Sequence, residues 1–254
     1  MSARLMINNI MSNGVKIEIF GIKFDDLKMG EVLEKIKGFL ESVQDKQYYI
    51  VLPYSEFVVK AQKDEEFRNI LNQADLCLCE GRGLWLMTKF LGRKIKESIN
   101  GIELIYKLNQ ELRIKNQGIF LFGGKTGVAE KVREKLGKGV IGVENGYQDF
   151  NKAIEKINLA KPEILLVGLG SPKQEKFIYE NLNKMPSIKL AIGIGGAFDF
   201  ISGRVKRAPR ILRKIGMEWL WRLIMQPKRI KRIFKGVSGL LLLTLKKSAN
   251  IKKD

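Results

Sequence analysis

The residues best suited to chemistry fall in three short loops in the second half of the chain. Gly123-Gly124-Lys125-Thr126-Gly127 follows the apolar run GIFLF. Gly168-Leu169-Gly170-Ser171-Pro172 follows EILLV, and Gly195-Gly196-Ala197-Phe198-Asp199 follows Leu190–Ile194. Each reads as strand, glycine loop, helix. In a parallel sheet such loops leave the carboxyl ends of the strands, where α/β ligands bind. Small residues let backbone N–H groups approach phosphate, and a helix N-terminus adds positive potential. Taken singly, each loop is equally well a structural turn. The first does not fit the Walker spacing, and the second lacks the third glycine of the dinucleotide fingerprint. The three together favour a nucleotide or a nucleotide sugar. In the second loop Ser171 is expected as N-cap and Pro172 as the first helical residue. That would carry Lys173 and Gln174 over the sheet edge, toward a sugar or a diphosphate; a well-built helix start is the alternative.

Other chemistries are narrowed by what the chain lacks. It has no histidine, which excludes His-dependent triads and His-containing metal sites. Its two cysteines, Cys77 and Cys79, share one face of a strand because side chains there alternate. Two thiols make no zinc site, and buried core thiols are the better reading. Neither a metal nor a cofactor is expected.

The elements that must position the loops read as alternating strands and helices. Strand character is expected over Val15–Phe24, Gln47–Leu52, Asp75–Cys79, Gly118–Phe122, Glu163–Val167 and Leu190–Ile194. Helical spacing covers Met29–Val43, Ser55–Asn72 with Ser55 as N-cap, Leu84–Phe90, Val128–Leu136 and the stretch from Pro172 to about Leu182. This pattern predicts an α/β fold, a parallel sheet sandwiched by helices. The continuous apolar strands suit a sheet covered on both faces.

Charge divides the chain. Of the 254 residues, Gly203–Asp254 hold 16 Lys or Arg against Glu218 and Asp254, a balance of +14 out of the total +19. The expected organisation is therefore a leader over 1–14, a catalytic core over 15–202 and a basic helical appendage over 203–254. In the appendage, Trp219, Leu220, Leu223 and Ile224 share one helical face amid arginines and lysines. Such a stripe suits the headgroup region of an anionic membrane. It suits base stacking less, so nucleic acid is not an expected partner. A solvated basic face is the plainer alternative. The longest apolar run of the appendage, Leu240–Leu245, falls far short of the ~20 residues that span a bilayer. With no secretory signal in MSARLMINNIMSNG, a cytoplasmic location is expected.

Three stretches carry a specific resemblance: GLGSPKQEK (168–176), GIGGAFD (193–199) and GRVKRAPRILRKIGMEW (203–219), closing with Arg222. They resemble the WecG/TagA/CpsF family, glycosyltransferase family 26, of N-acetylmannosaminyltransferase type. Phe57–Ala61, Ala74–Gly83, Gly101–Leu104 and Leu121–Glu130 match its layout too, so the likeness covers about residues 15–235. The resemblance implies a Rossmann-like core whose basic appendage meets the inner face of the cell membrane and helps to close the site. It implies inverting, metal-independent transfer of N-acetylmannosamine or a related hexose. The donor would be a UDP-sugar and the acceptor a polyprenyl-diphosphate-linked amino sugar, in cell-surface polysaccharide or teichoic acid synthesis.

Residue by residue, the resemblance places Glu80, followed by Gly81, where the family has Asp-Gly, and so makes Glu80 the general base. Donor contacts would come from Gly123, Gly124, Gly170, Ser171, Lys173, Gln174, Gly195, Gly196 and Asp199, and diphosphate contacts from Arg222, Arg229 and Arg232. A turn residue is the alternative for Glu80, and membrane-surface charge for the arginines. The chain departs from the family at Leu52-Pro53-Tyr54, where Thr-x-Asn is usual, at Ser98 for an arginine and at Glu103 for an aspartate. These departures keep a second expectation open: a membrane-bound scaffold relative without turnover. Monomer and homo-oligomer are both compatible with the sequence.

Overall fold

In the computed structural model the described residues are 15–112, 118–209, 211–212, 218–225 and 230–251. The expected leader over 1–14 lies outside them. Six parallel strands form the sheet: β3 (Tyr48–Val51), β4 (Leu76–Cys77), β5 (Ile119–Gly123), β6 (Val140–Glu144), β7 (Ile164–Gly168) and β8 (Leu190–Gly193), in the order β4-β3-β8-β7-β5-β6. Period-two alternation splits their side chains between two cores. Ile50, Leu76, Leu121, Leu166 and Ile192 face one. Val51, Cys77, Phe122, Val167 and Ala191 face the other. A strand buried on both faces needs apolar residues throughout, as YYIV and ILLV supply.

Helices α1 (Met29–Glu41), α5 (Gly101–Leu112), α6 (Val128–Leu136) and α9 (Ala197–Ile201) cover the first face. In α1 the buried Met29, Val32, Leu33, Ile36 and Leu40 recur at helical spacing, and Glu31 accepts from the Lys28 amide at 2.7 Å. The second face carries α2 (Ser55–Ala61), α3 (Glu65–Gln73), α4 (Arg82–Phe90), α7 (Phe150–Ala160) and α8 (Lys173–Asn181). The result is a Rossmann-like α/β sandwich.

Several elements differ from expectation. Val15–Phe24 is a hairpin, β1 (Lys16–Ile19) and β2 (Ile22–Asp25), turned at Phe20 and Gly21 with positive φ. The expected helix over 55–72 is two, because Asp64 caps a new start by accepting from the Phe67 amide at 2.9 Å. Ser55 is the first residue of α2 and Tyr54 its N-cap. Regular pairing in β4 stops at Cys77, but Leu78 and Glu80 still donate to the carbonyls of Val51 and Pro53, both at 2.9 Å. Helices α5 and α7 and strand β6 add to the expected elements.

Two appendage helices are described, α10 (Glu218–Met225) and α11 (Ile230–Ile251). One face of α11 docks on α2. A Cβ at Gly239 would lie 2.9 Å from both Val59 methyls, so glycine is what permits this approach. Leu240 and Thr244 are buried beside it. Val205 and Ala208 are buried too, so the start of the appendage is packed into the protein.

Candidate active site

The carboxyl ends of β3, β4, β7 and β8 open into one cleft of about 860 Å³, counting space open to solvent. Glu80 comes from the loop after β4; Leu52 and Tyr54 come from the end of β3. Gly170, Ser171 and Gln174 come from the β7–α8 loop and the start of α8, and Gly195, Gly196 and Asp199 from the β8–α9 loop and α9. Topology explains the convergence: β3 and β8 are neighbours although their connections run to opposite sides of the sheet, which leaves a crevice between them.

Glu80 is held in place. Its Oε1 accepts from the Gly101 amide at 3.0 Å, at the first turn of α5. There the partial positive charge of the helix favours a carboxylate. Asn100, also lining the cleft, caps the same helix through Oδ1, which accepts from Ile102 and Glu103, both at 3.1 Å. Asp199 pairs with Arg204 at 2.9 Å, and Arg207 donates to Asn100 at 3.3 Å and to Glu103 at 3.4 Å. The segment after α9 therefore brings two guanidinium groups onto residues that line the cleft.

Gln174 is 1% exposed. Its Oε1 accepts from the amides of Gly170 at 3.1 Å and Gly195 at 2.9 Å, tying the two loops together. Its Nε2 donates to Glu175 Oε1 at 2.5 Å. Burial pushes the Glu175 carboxyl up to about 7, against the opposing bond from Gln174.

Other expected site residues stand elsewhere. Gly123 and Gly124 are not among the lining residues. Gly124 donates to the Gly168 carbonyl at 3.0 Å, and a Cβ on Gly123 would reach the Gly168 backbone at 2.5 Å. Their place is the tight contact that lets β5 run beside β7. Lys173 lies with its ammonium 5.1 Å from the Phe150 ring centroid and is not a lining residue. Ser171 is not the N-cap: α8 starts at Lys173 with Pro172 as its cap residue. The Ser171 hydroxyl is instead buried against the Glu175 carboxyl. Arg229 and the side chains of Arg222 and Arg232 lie outside the described residues.

Cys77 and Cys79 are fully buried, and burial raises both thiols, as expected of core residues. Among the described residues no three His, Cys, Asp or Glu side chains converge as a metal-binding group. Sequence reasoning missed Asn100, Glu175, Arg204 and Arg207. One signal was available: Gln174 and Glu175 stand at helical spacing from Phe177 and Ile178, both buried, so two polar residues had to enter the core.

Comparison with known proteins shows which family the chain belongs to. The model of the glycosyl transferase WecG/TagA/CpsF family matches residues 17–254. The chain belongs to that family. It is a glycosyltransferase. Among its relatives, the N-acetylglucosaminyldiphosphoundecaprenol N-acetyl-beta-D-mannosaminyltransferases of Staphylococcus aureus strains MRSA252 and MW2 are each 31% identical over 248 residues, 95% of this chain and 97% of theirs. That of strain NCTC 8325 / PS 47 is 30% identical over the same length. Within this WecG/TagA/CpsF glycosyltransferase, the stretches at 168–176 and 193–199 build one wall of the cleft.

Proposed function

We propose that this WecG/TagA/CpsF glycosyltransferase moves N-acetylmannosamine or a related hexose from a UDP-sugar to a polyprenyl-diphosphate-linked N-acetylglucosamine. The substrates named for its relatives support the acceptor and the sugar. The observation that carries the reading is the meeting of Glu80 with the β7–α8 and β8–α9 loops in one cleft. The step is a single displacement with inversion. An acceptor hydroxyl oxygen attacks the anomeric carbon while Glu80 takes its proton. The bond from that carbon to the diphosphate breaks, and UDP leaves with the electron pair. Arginines suit the developing charge, because a guanidinium holds phosphate oxygens bidentately. Arg204 and Arg207, at the rim, join Arg222, Arg229 and Arg232 as candidates. They take the part a metal plays elsewhere, so activity is expected to survive EDTA.

The appendage brings the enzyme to the inner membrane surface. Phe234, Leu242 and Leu245 on α11 and Ile224 on α10 are exposed amid the basic residues, as an interfacial helix requires. Among the described residues no helix is long and apolar enough to cross a membrane.

The test is UDP release from UDP-N-acetylmannosamine with a short-chain lipid-diphosphate N-acetylglucosamine as acceptor. Release that depends on the acceptor supports the reading. The presence of Leu52 and Tyr54 on the cleft wall favours one rival, the scaffold relative. It predicts UDP binding without turnover for any hexose donor.

A further inference from the structure

Glu175 is the most deeply buried carboxyl of the site's neighbourhood, fully inaccessible to solvent, and the displacement above gives it no task. A buried carboxyl is costly unless its hydrogen bonds are specific. Its Oε1 takes one bond, from Gln174 Nε2 at 2.5 Å, and the buried Ser171 hydroxyl lies against the same carboxyl. From α2, Lys60 donates to the Ser171 carbonyl at 2.8 Å and pairs with Glu56 at 3.3 Å, so the charges facing this corner are fixed by α2.

A glutamine amide has two unlike ends: an oxygen that accepts and a nitrogen that donates. In the cleft the oxygen end meets two donors, the Gly170 and Gly195 amides. Turning the amide over would set its NH₂ against those two N–H groups and its oxygen against the Glu175 oxygen. All three bonds would be lost. The acceptor at Glu175 therefore acts with the two loop amides in holding the oxygen end of Gln174 toward the loops.

We propose that Glu175 is a positioning residue: it fixes the Gln174 amide so that one oxygen clamps the β7–α8 and β8–α9 loops at the spacing that receives the diphosphate of the donor. The first half concerns the clamp alone; the second rests on the donor-site reading above.

The two halves are tested separately on the full-length protein with Glu175→Gln and Glu175→Leu. Glutamine keeps an acceptor oxygen; leucine removes it without leaving a cavity. Hydrogen exchange of peptides covering 168–174 and 193–197 reads the clamp, and calorimetric UDP binding reads its use. Glu175→Gln should match the wild type within about twofold in both. Glu175→Leu should melt near the wild-type temperature, yet exchange faster in both loops and bind UDP about tenfold more weakly, the share of about one hydrogen bond. Should the leucine variant not fold, Glu175→Met, unbranched like glutamate, takes its place. Wild-type exchange in a folded leucine or methionine variant overturns the clamp, as does a glutamine variant that loosens as much as leucine. Faster exchange with unchanged UDP affinity overturns its role in donor binding. A wild type that binds no UDP sinks the donor-site reading, while the exchange data still decide the clamp.

Discussion

Gly101 donates its amide proton to Glu80 Oε1 at 3.0 Å, and a Cβ on Gly101 would stand 3.1 Å from that same oxygen. The glycine thus sets where the carboxylate rests. Gly101→Ala should push the carboxylate aside by a few tenths of an ångström. It should not weaken the helix, since alanine at a helical position is favoured by roughly 0.5–1 kcal/mol over glycine. Turnover is expected to fall about tenfold, within the ~10²-fold that a 1 Å misplacement can cost, with thermal stability equal or raised and UDP affinity unchanged. Steady-state kinetics beside a melting curve check this separation.

The buried Glu175 makes stability depend on pH. Its carboxyl rises from an ordinary 4.5 to about 7 in the folded protein, chiefly through burial. The folded state therefore binds the proton more tightly than the unfolded chain. This contribution is fully present below about pH 4.5 and is lost as pH rises through about 7, by on the order of 3 kcal/mol. Glu175→Gln removes the titration. Urea midpoints at pH 5 and pH 8 should converge in that variant, which should be the more stable of the two at pH 8. A wild type whose midpoint falls no more than the variant's would contradict the assignment.

Docking of α11 on α2 can be broken without altering charge. A side chain at Gly239 collides with Val59, and overpacking of this kind costs about 1–3 kcal/mol. Gly239→Leu should lift α11, lower the melting temperature by several degrees and reduce transfer more than tenfold. Flotation with anionic vesicles should persist, because the cations and outer apolar residues remain, and should weaken as salt rises. Unchanged transfer would separate the docked helix from activity.

How much of this could be read from residues alone differs by element. Runs such as IFLF (119–122) and ILLV (164–167) declared buried parallel strands because every position is apolar, and the glycine loops after them marked the sheet edge. The breaks were less legible. Asp64 divides a stretch whose apolar spacing reads as one helix, and only its bond to the Phe67 amide makes it a cap. Strand β6, VIGVE, has mixed burial at the sheet edge, so it lacks the apolar run that announced its neighbours. At the site, Gly170, Ser171, Gln174, Gly195, Gly196 and Asp199 from the second and third loops line one cleft with Glu80, which the family resemblance had singled out. Gly123 and Gly124 do not line the cleft, because a glycine needed for strand contact reads the same as one needed for phosphate. Arg207 and Asn100 could not be paired in advance: their contact joins residues 107 positions apart.

The role proposed for Glu80 is to take the acceptor's proton in this cleft. Turnover of Glu80→Gln, measured with UDP-N-acetylmannosamine and the lipid-diphosphate acceptor, tests it most directly, because glutamine keeps an oxygen for the Gly101 amide but cannot serve as the base. Turnover should drop by roughly 10²–10⁴-fold, the usual share of a general base, while calorimetric UDP affinity stays within about twofold of the wild type. Near-normal turnover in a folded, UDP-binding Glu80→Gln protein would show that Glu80 is not the base.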